Sequence, residues 1–373
     1  MTSNDYIFDY EIKVYNISGA WIADINNATS ISFDLTQNAG CGNFSVTLAR
    51  KFDDFASVIA FNNEIRIYLN GTLYYTGIII DYIPTLDLSE NVVINGVGYM
   101  EQLNWQLVSG TFTSTEVSQL CSDIVTTYTV PYGNISIGTI EAMGYVIDSI
   151  TFQDQTVKDV LQVLQDISGV SITEVDELKK FNVKIRTLTA SLWDIAEWDT
   201  DIWDGTVGNI HYVFVGGNVK HYEVINSSNT LRNSIKLKGA RDSITDIVYT
   251  RTRTDATSIA AYKERQEVVT VSSIDNNADA DQYLIARLRL GAYPTKRTTF
   301  IVNNYFTIIR PGDVVYIRNT DGIDYPHFVI SAGYEVSDAG LNITIQGDTL
   351  TPNWSTDWKR IGKQLVNLQN QNP

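Results

Sequence analysis

Cysteine is almost missing from this chain: 373 residues contain two, Cys41 and Cys121, too few for a disulfide framework, and both are expected as core thiols. Histidine is nearly as scarce, with three, and no acid stands at ligand spacing from His211 or His221 to make a zinc signature. Basic residues are outnumbered, 27 against 43 acidic, for a net charge of −16. A field of that sign repels phosphate backbones, because binding them depends on Lys and Arg displacing counterions, so sequence-specific nucleic-acid binding is not expected. Long hydrophobic runs are lacking as well. The longest aliphatic stretch, around Ile78-Ile79-Ile80, falls far short of the ~20 residues a bilayer needs, and neither a basic nor an apolar leader opens the chain. Neither a membrane anchor nor a signal peptide is expected. What is present is 21 tyrosines and abundant Asn, Thr and Ser with only 19% charged residues, a mixture that favours strands and turns over helices.

Along the chain the pattern is mainly β with an α+β insertion, in four segments. Residues 1–110 alternate like a meander, including Ile65–Leu69, an Asn70-Gly71 turn that needs positive φ at both positions, and a return strand to Ile80. Residues 111–189 shift toward helix. Thr113 and Glu116 form a capping-box pattern ahead of Val117, Leu120, Cys121, Ile124, Val125 and Tyr128, and a second helix is predicted from Thr156 to Ser168 with Gly169 closing it. Residues 190–350 return to strands, with a helix from Ala278 to Leu290 closed by Gly291 and a type II turn at Pro311-Gly312. Residues 351–373 form a tail in which Trp358, Ile361, Leu365 and Leu368 share one side of a short helix, beside Lys359, Arg360 and Lys363, a basic patch in an acidic chain. One internal echo stands out: Asn63–Ile67 with its return strand at Gly77-Ile78 is similar to Gly312–Tyr316 with its return at Phe328–Ile330, as a duplicated barrel would be.

Catalytic signatures are missing: the sequence has no Gly-x-Ser-x-Gly elbow, P-loop, His-Glu-x-x-His or Cys-x-x-Cys. Gly96-Val97-Gly98 opens a dinucleotide fingerprint, but the third position is Glu101 and a strand bulge fits better. Asp275–Asp279 imitates a calcium loop until Ala280 replaces the required Gly, so helix capping explains the acids. The most unusual segment repeats Trp-Asp every five residues at Trp193, Trp198 and Trp203. That period matches neither strand nor helix and points to a packed loop, a subunit contact, or rings stacked on a sugar. A catalytic pair among Asp194, Glu197, Asp199, Asp201 and Asp204 is the weakest alternative, because glycosidase carboxylates usually come from separate strands.

The order Ser258–Tyr262, a helix with Ala280–Leu284, then Thr299–Val302 and Ile309-Arg310-Pro311-Gly312-Asp313-Val314-Val315, resembles the tail baseplate hub proteins of bacteriophages and related contractile injection systems. Gly42–Leu48, Tyr75-Thr76-Gly77, Gly98-Tyr99 and Thr156–Leu161 fit the same family, whose pattern does not include the Trp-Asp segment. The resemblance implies two tail-tube-like β-barrel domains plus a small α/β domain. It further implies a non-enzymatic homotrimer in the virion, assembled in the host cytoplasm, whose ring joins a tail-tube or distal tail protein to a central spike or fibre protein and lines the genome-delivery channel. No cofactor or metal is implied, and a peptidoglycan-cleaving domain is not expected after the last strand. Trp358, Lys359, Arg360 and Lys363 are the expected docking site for the spike or fibre. The alternative is a receptor-binding tail protein that holds cell-surface carbohydrate through Trp193, Trp198 and Trp203.

Overall fold

A computed structural model describes residues 9–49, 58–84, 91–169, 171–185, 209–241, 247–318, 324–337 and 340–348. The first strands are β1 (Tyr10–Tyr15), β2 (Trp21–Ile25), β3 (Ala28–Thr36), β4 (Gly40–Leu48), β5 (Glu64–Leu69), β6 (Thr72–Pro84) and β7 (Val92–Gly98). The insertion holds β8 (Leu107–Glu116), α1 (Val117–Tyr128), β9 (Ser136–Ile140), β10 (Val146–Thr156), α2 (Val157–Ser168), β11 (Ser171–Val175) and β12 (Lys180–Ile185). Then come β13 (Ile210–Phe214), β14 (Val219–Ser227), β15 (Ser234–Arg241), β16 (Val248–Thr254), α3 (Ala256–Tyr262), β17 (Gln266–Thr270) and α4 (Asn277–Gly291). The chain closes on β18 (Thr295–Asn303), β19 (Val314–Arg318), β20 (Asp324–Ser337) and β21 (Gly340–Asp348).

Local chemistry accounts for most of these boundaries. Asn70 and Gly71 take φ of 48° and 76°, the two positive values a tight hairpin requires, and β5 and β6 pair on either side. Thr156 caps α2 by accepting from the Asp159 amide at 3.1 Å, and Gly169 ends it at φ 67°. Two details differ from the sequence expectation. Thr113 lies inside β8, paired with Ser149, so the cap of α1 falls to Glu116, whose carboxylate accepts from the Gln119 amide at 3.0 Å. Gly291 stays helical, and Ala292 caps α4 with its amide on the Leu288 carbonyl at 2.8 Å.

The internal echo is a true structural repeat. One half of the large sheet runs β3-β4-β7-β6-β5-β1 and the other β14-β18-β21-β20-β19-β13. Corresponding neighbours pair antiparallel in both halves, except that β1 meets β5 antiparallel and β13 meets β19 parallel. Irregularities recur too. β6 bulges between Ile79 and Asp81 against β7, as β20 does between Val329 and Ser331 against β21. β3 gains a residue between Ala28 and Ser30 against β4, as β14 does between Val219 and His221 against β18. The turns entering β5 and β19 match bond for bond: the Asn62 amide donates to Ile79 O at 3.0 Å and the Gly312 amide to Val329 O at 2.9 Å. Each return residue then donates to the carbonyl of Asn63 or Asp313, both at 2.9 Å. The correspondence is Asn62 with Gly312, one residue off the sequence echo, because Asn62 (φ 65°) occupies the left-handed slot that Gly312 (φ 96°) fills in the second copy.

The two barrel-like halves do not stand apart and do not close. β20 pairs β3 antiparallel from Ser331↔Thr36 to Ser337↔Ser30, which fuses both halves into one 16-stranded sheet whose path ends at β14 and β2 among the described residues. A single apolar cluster follows the seam, with Phe33, Val46 and Ile67 from the first half and Phe300, Val315 and Tyr334 from the second. A second cluster joins the insertion to residues that follow β14: Leu120, Phe152 and Leu161 pack with Ile235, Leu237 and Leu284. The segment around β15–β17 and α4, expected within a unit spanning 190–350, therefore shares its core with the α/β insertion. Cys41 and Cys121 are both buried free thiols, 2% and 0% exposed.

Candidate assembly site

Seven residues singled out from sequence, Trp193, Trp198, Trp203, Trp358, Lys359, Arg360 and Lys363, lie outside the described residues. Several of the described titratable groups form internal ties. Asp313 accepts from the amides of Asn209 (2.8 Å) and Arg310 (2.6 Å) and meets His211 Nε2 at 3.0 Å, while His211 Nδ1 lies 3.0 Å from the Tyr305 hydroxyl. This His–Asp pair is buried, 2% and 3% exposed, with the phenol on its far side, so it locks β13 to the turn before β19. His327 packs against Thr298 and Tyr222, and His221 is exposed beside Glu223. No group of three or more potential metal ligands occurs among the described residues.

Further polar ties bind the insertion to the sheet. Glu64, 3% exposed, accepts from Tyr99 Oη at 2.5 Å, Lys179 Nζ at 3.0 Å and Arg66 Nε at 2.5 Å. Burial by itself would raise this carboxyl, but these bonds and the Lys179 charge outweigh it and hold Glu64 below the usual carboxylate range. Arg310 meets Glu177 at 2.5 Å, and Asp279, from the calcium-like segment, accepts from Tyr145 Oη at 2.6 Å and Asn276 Nδ2 at 2.8 Å. The cap of α4 is Asn276 rather than one of the acids expected to cap it, accepting from the Asp279 amide at 2.9 Å. Gly96 serves close packing: a Cβ there would sit 2.1 Å from the Ile78 carbonyl of the neighbouring strand.

What remains for function is surface. On the face turned away from the core, the strands around the seam carry Asp34, Asn43, Ser45, Asp81 and Asn95, which line an open cleft of about 570 Å³. Glu335, Thr344 and Gln346 alternate outward on β20 and β21. This face is hydroxylic, amidic and acidic. At the sheet's edges the character changes: Ile80, Ile83, Tyr222 and Ile225 are exposed, from 41% to 53%. Sequence reasoning missed β14 altogether, because six of its nine residues are exposed and apolar alternation is nearly lost. The one available signal was structural equivalence to β3.

The fold is similar to those of solved phage and prophage tail proteins. The 43 kDa tail protein of prophage MuSo2 from Shewanella oneidensis matches with a TM-score of 0.63 at 14% identity, covering 91% of this chain and 98% of its own. Prophage tail protein gp18 from Listeria monocytogenes matches at 0.54 and 16% identity, covering 96% and 99%. The c3393 protein of Escherichia coli, a type VI secretion component with structural similarity to T4 tail proteins gp27 and gp5, matches at 0.52 and 7% identity, covering 87% and 74%. Residues 28–346 match the YQBQ-like family, and the chain belongs to it. No curated protein matches closely enough to count as a relative.

Proposed function

We propose that this chain is a structural hub of a phage tail tip or baseplate, in which three copies form a ring that joins the tail tube to the central spike or fibre. The observation that carries the reading is the repeat. Two equivalent six-strand units in one chain give three copies six similar units, so a threefold ring can meet a sixfold tube. The polar face with Asp34, Asp81 and Glu335 is the surface suited to a delivery channel, since carboxylates and hydroxyls release no counterions on meeting a passing nucleic acid. The role is structural rather than enzymatic, with no cofactor. Light scattering on the purified chain, 41.8 kDa as a monomer, tests the ring: a species near 125 kDa (three times 41.8) supports it, and a stable dimer overturns it. Binding to a glycan array that disappears with Trp203→Ala would instead favour a carbohydrate-binding tail protein.

A further inference from the structure

The seam inside the chain contains the geometry of a contact between chains. β20 serves two neighbours on one edge: Asp324–Phe328 pairs β19, and Ser331–Ser337 pairs β3. Its counterpart β6 is built alike. Thr72–Ile78 pairs β5, and after the matching bulge Asp81–Pro84 runs on with no described strand along that edge. β14, the counterpart of β3, has β18 on one side and no described strand on the other. The molecule thus displays both halves of its own seam, each without its mate.

Resting on the ring reading above, we propose that β6 beyond its bulge pairs antiparallel with β14 of the next copy, repeating the β20–β3 seam between subunits. The register follows from the two pairs of matched bulges. Ser331↔Thr36 becomes Asp81↔Ser227, and Gly333↔Asp34 becomes Ile83↔Ile225. The register set by the bulges places Ile83, 53% exposed, directly across from Ile225, 48% exposed. The Gln37 amide bonds to the Ile330 carbonyl at 2.8 Å, so hydrogen-bonded pairs along the internal seam fall at Ile330↔Gln37 and every second residue onward. Gly333↔Asp34, and hence Ile83↔Ile225, belongs to the alternate pairs, whose side chains approach most closely. Pro84 takes the place of Tyr334 and brings a carbonyl but no N–H. It keeps the ladder short, which suits an edge that joins on assembly and resists indiscriminate pairing before it.

The test is disulfide trapping in the full-length chain. Cys41 and Cys121 are buried and do not compete. Under mild oxidation Ile83→Cys combined with Ile225→Cys should link different chains, with the 83–225 bond identified by mass spectrometry. Ile83→Cys with Asn226→Cys, slipped by one residue onto the opposite face, should link at least tenfold less. Equal yields, or no 83–225 bond, overturn the pairing. A trimer by light scattering that lacks this bond sinks the strand pairing and spares the ring. Bonded chains that grow past three copies spare the pairing and sink the ring.

Discussion

Glu64 ties the insertion to the first repeat through a buried carboxylate. Its carboxylate sits under Tyr99, Lys179 and Arg66, and a neutral amide there leaves two cations without their counter-charge and sets an NH2 donor among groups that all donate. Glu64→Gln is expected to lower stability at neutral pH by about 3 kcal/mol, measured by urea unfolding. The pH dependence has a definite sign. Because folding depresses this carboxyl, its contribution is complete above the unfolded value near 4.3 and is lost as pH falls through the lower folded value. The gap between wild type and Glu64→Gln should therefore shrink in acid. None of this was legible from sequence, where Glu64 is one outward-looking acid in a strand. Its partners Tyr99 and Lys179 come from elements that only the tertiary fold brings to it.

At the scale of elements, sequence pattern succeeded where one face is buried and failed where neither is. β5, β6, α2 and α4 were legible because alternation or helical spacing coincided with a turn or cap such as Asn70-Gly71 or Thr156. β14 was not, since six of its nine residues are exposed and periodicity carries no signal there, and the pairing of β8 with β10 was not, since α1 and β9 lie between them in the chain. The seam between β20 and β3 was equally hidden, being a pairing between strands far apart in the chain. It is anchored by Tyr334, whose ring stacks on Phe33 at 4.8 Å and whose hydroxyl donates to Ile309 O at 2.9 Å and accepts from the Ile309 amide at 2.8 Å. Tyr334→Phe should cost about 1–3 kcal/mol by leaving those two backbone groups unsatisfied. Tyr334→Ala, which also opens a cavity, should cost about 3–5 kcal/mol, and thermal unfolding with both variants separates the two effects.

For the whole molecule, charge is the property the amino-acid sequence conveyed best, and its placement is what the fold adds. Asp34 and Asp81 face the same cleft at the seam, and Glu335 points outward from the adjoining strand. If that face lines a channel, Asp34→Lys with Asp81→Lys in assembled particles should slow genome delivery several-fold, read by the rate of DNA release, with the slowing relieved by added salt. Delivery at the wild-type rate in low salt would remove the channel assignment.

The β20–β3 pairing also sets a timetable for synthesis. β3 leaves the ribosome about 300 residues before its second neighbour exists, and at about 5–20 residues per second it waits some 15–60 s with a bare edge. During that interval the nascent first half resembles a sheet cut open, and its folding cannot be completed until β20 has been made. A shortened chain ending before β20 would keep that edge bare permanently, and would collect in inclusion bodies.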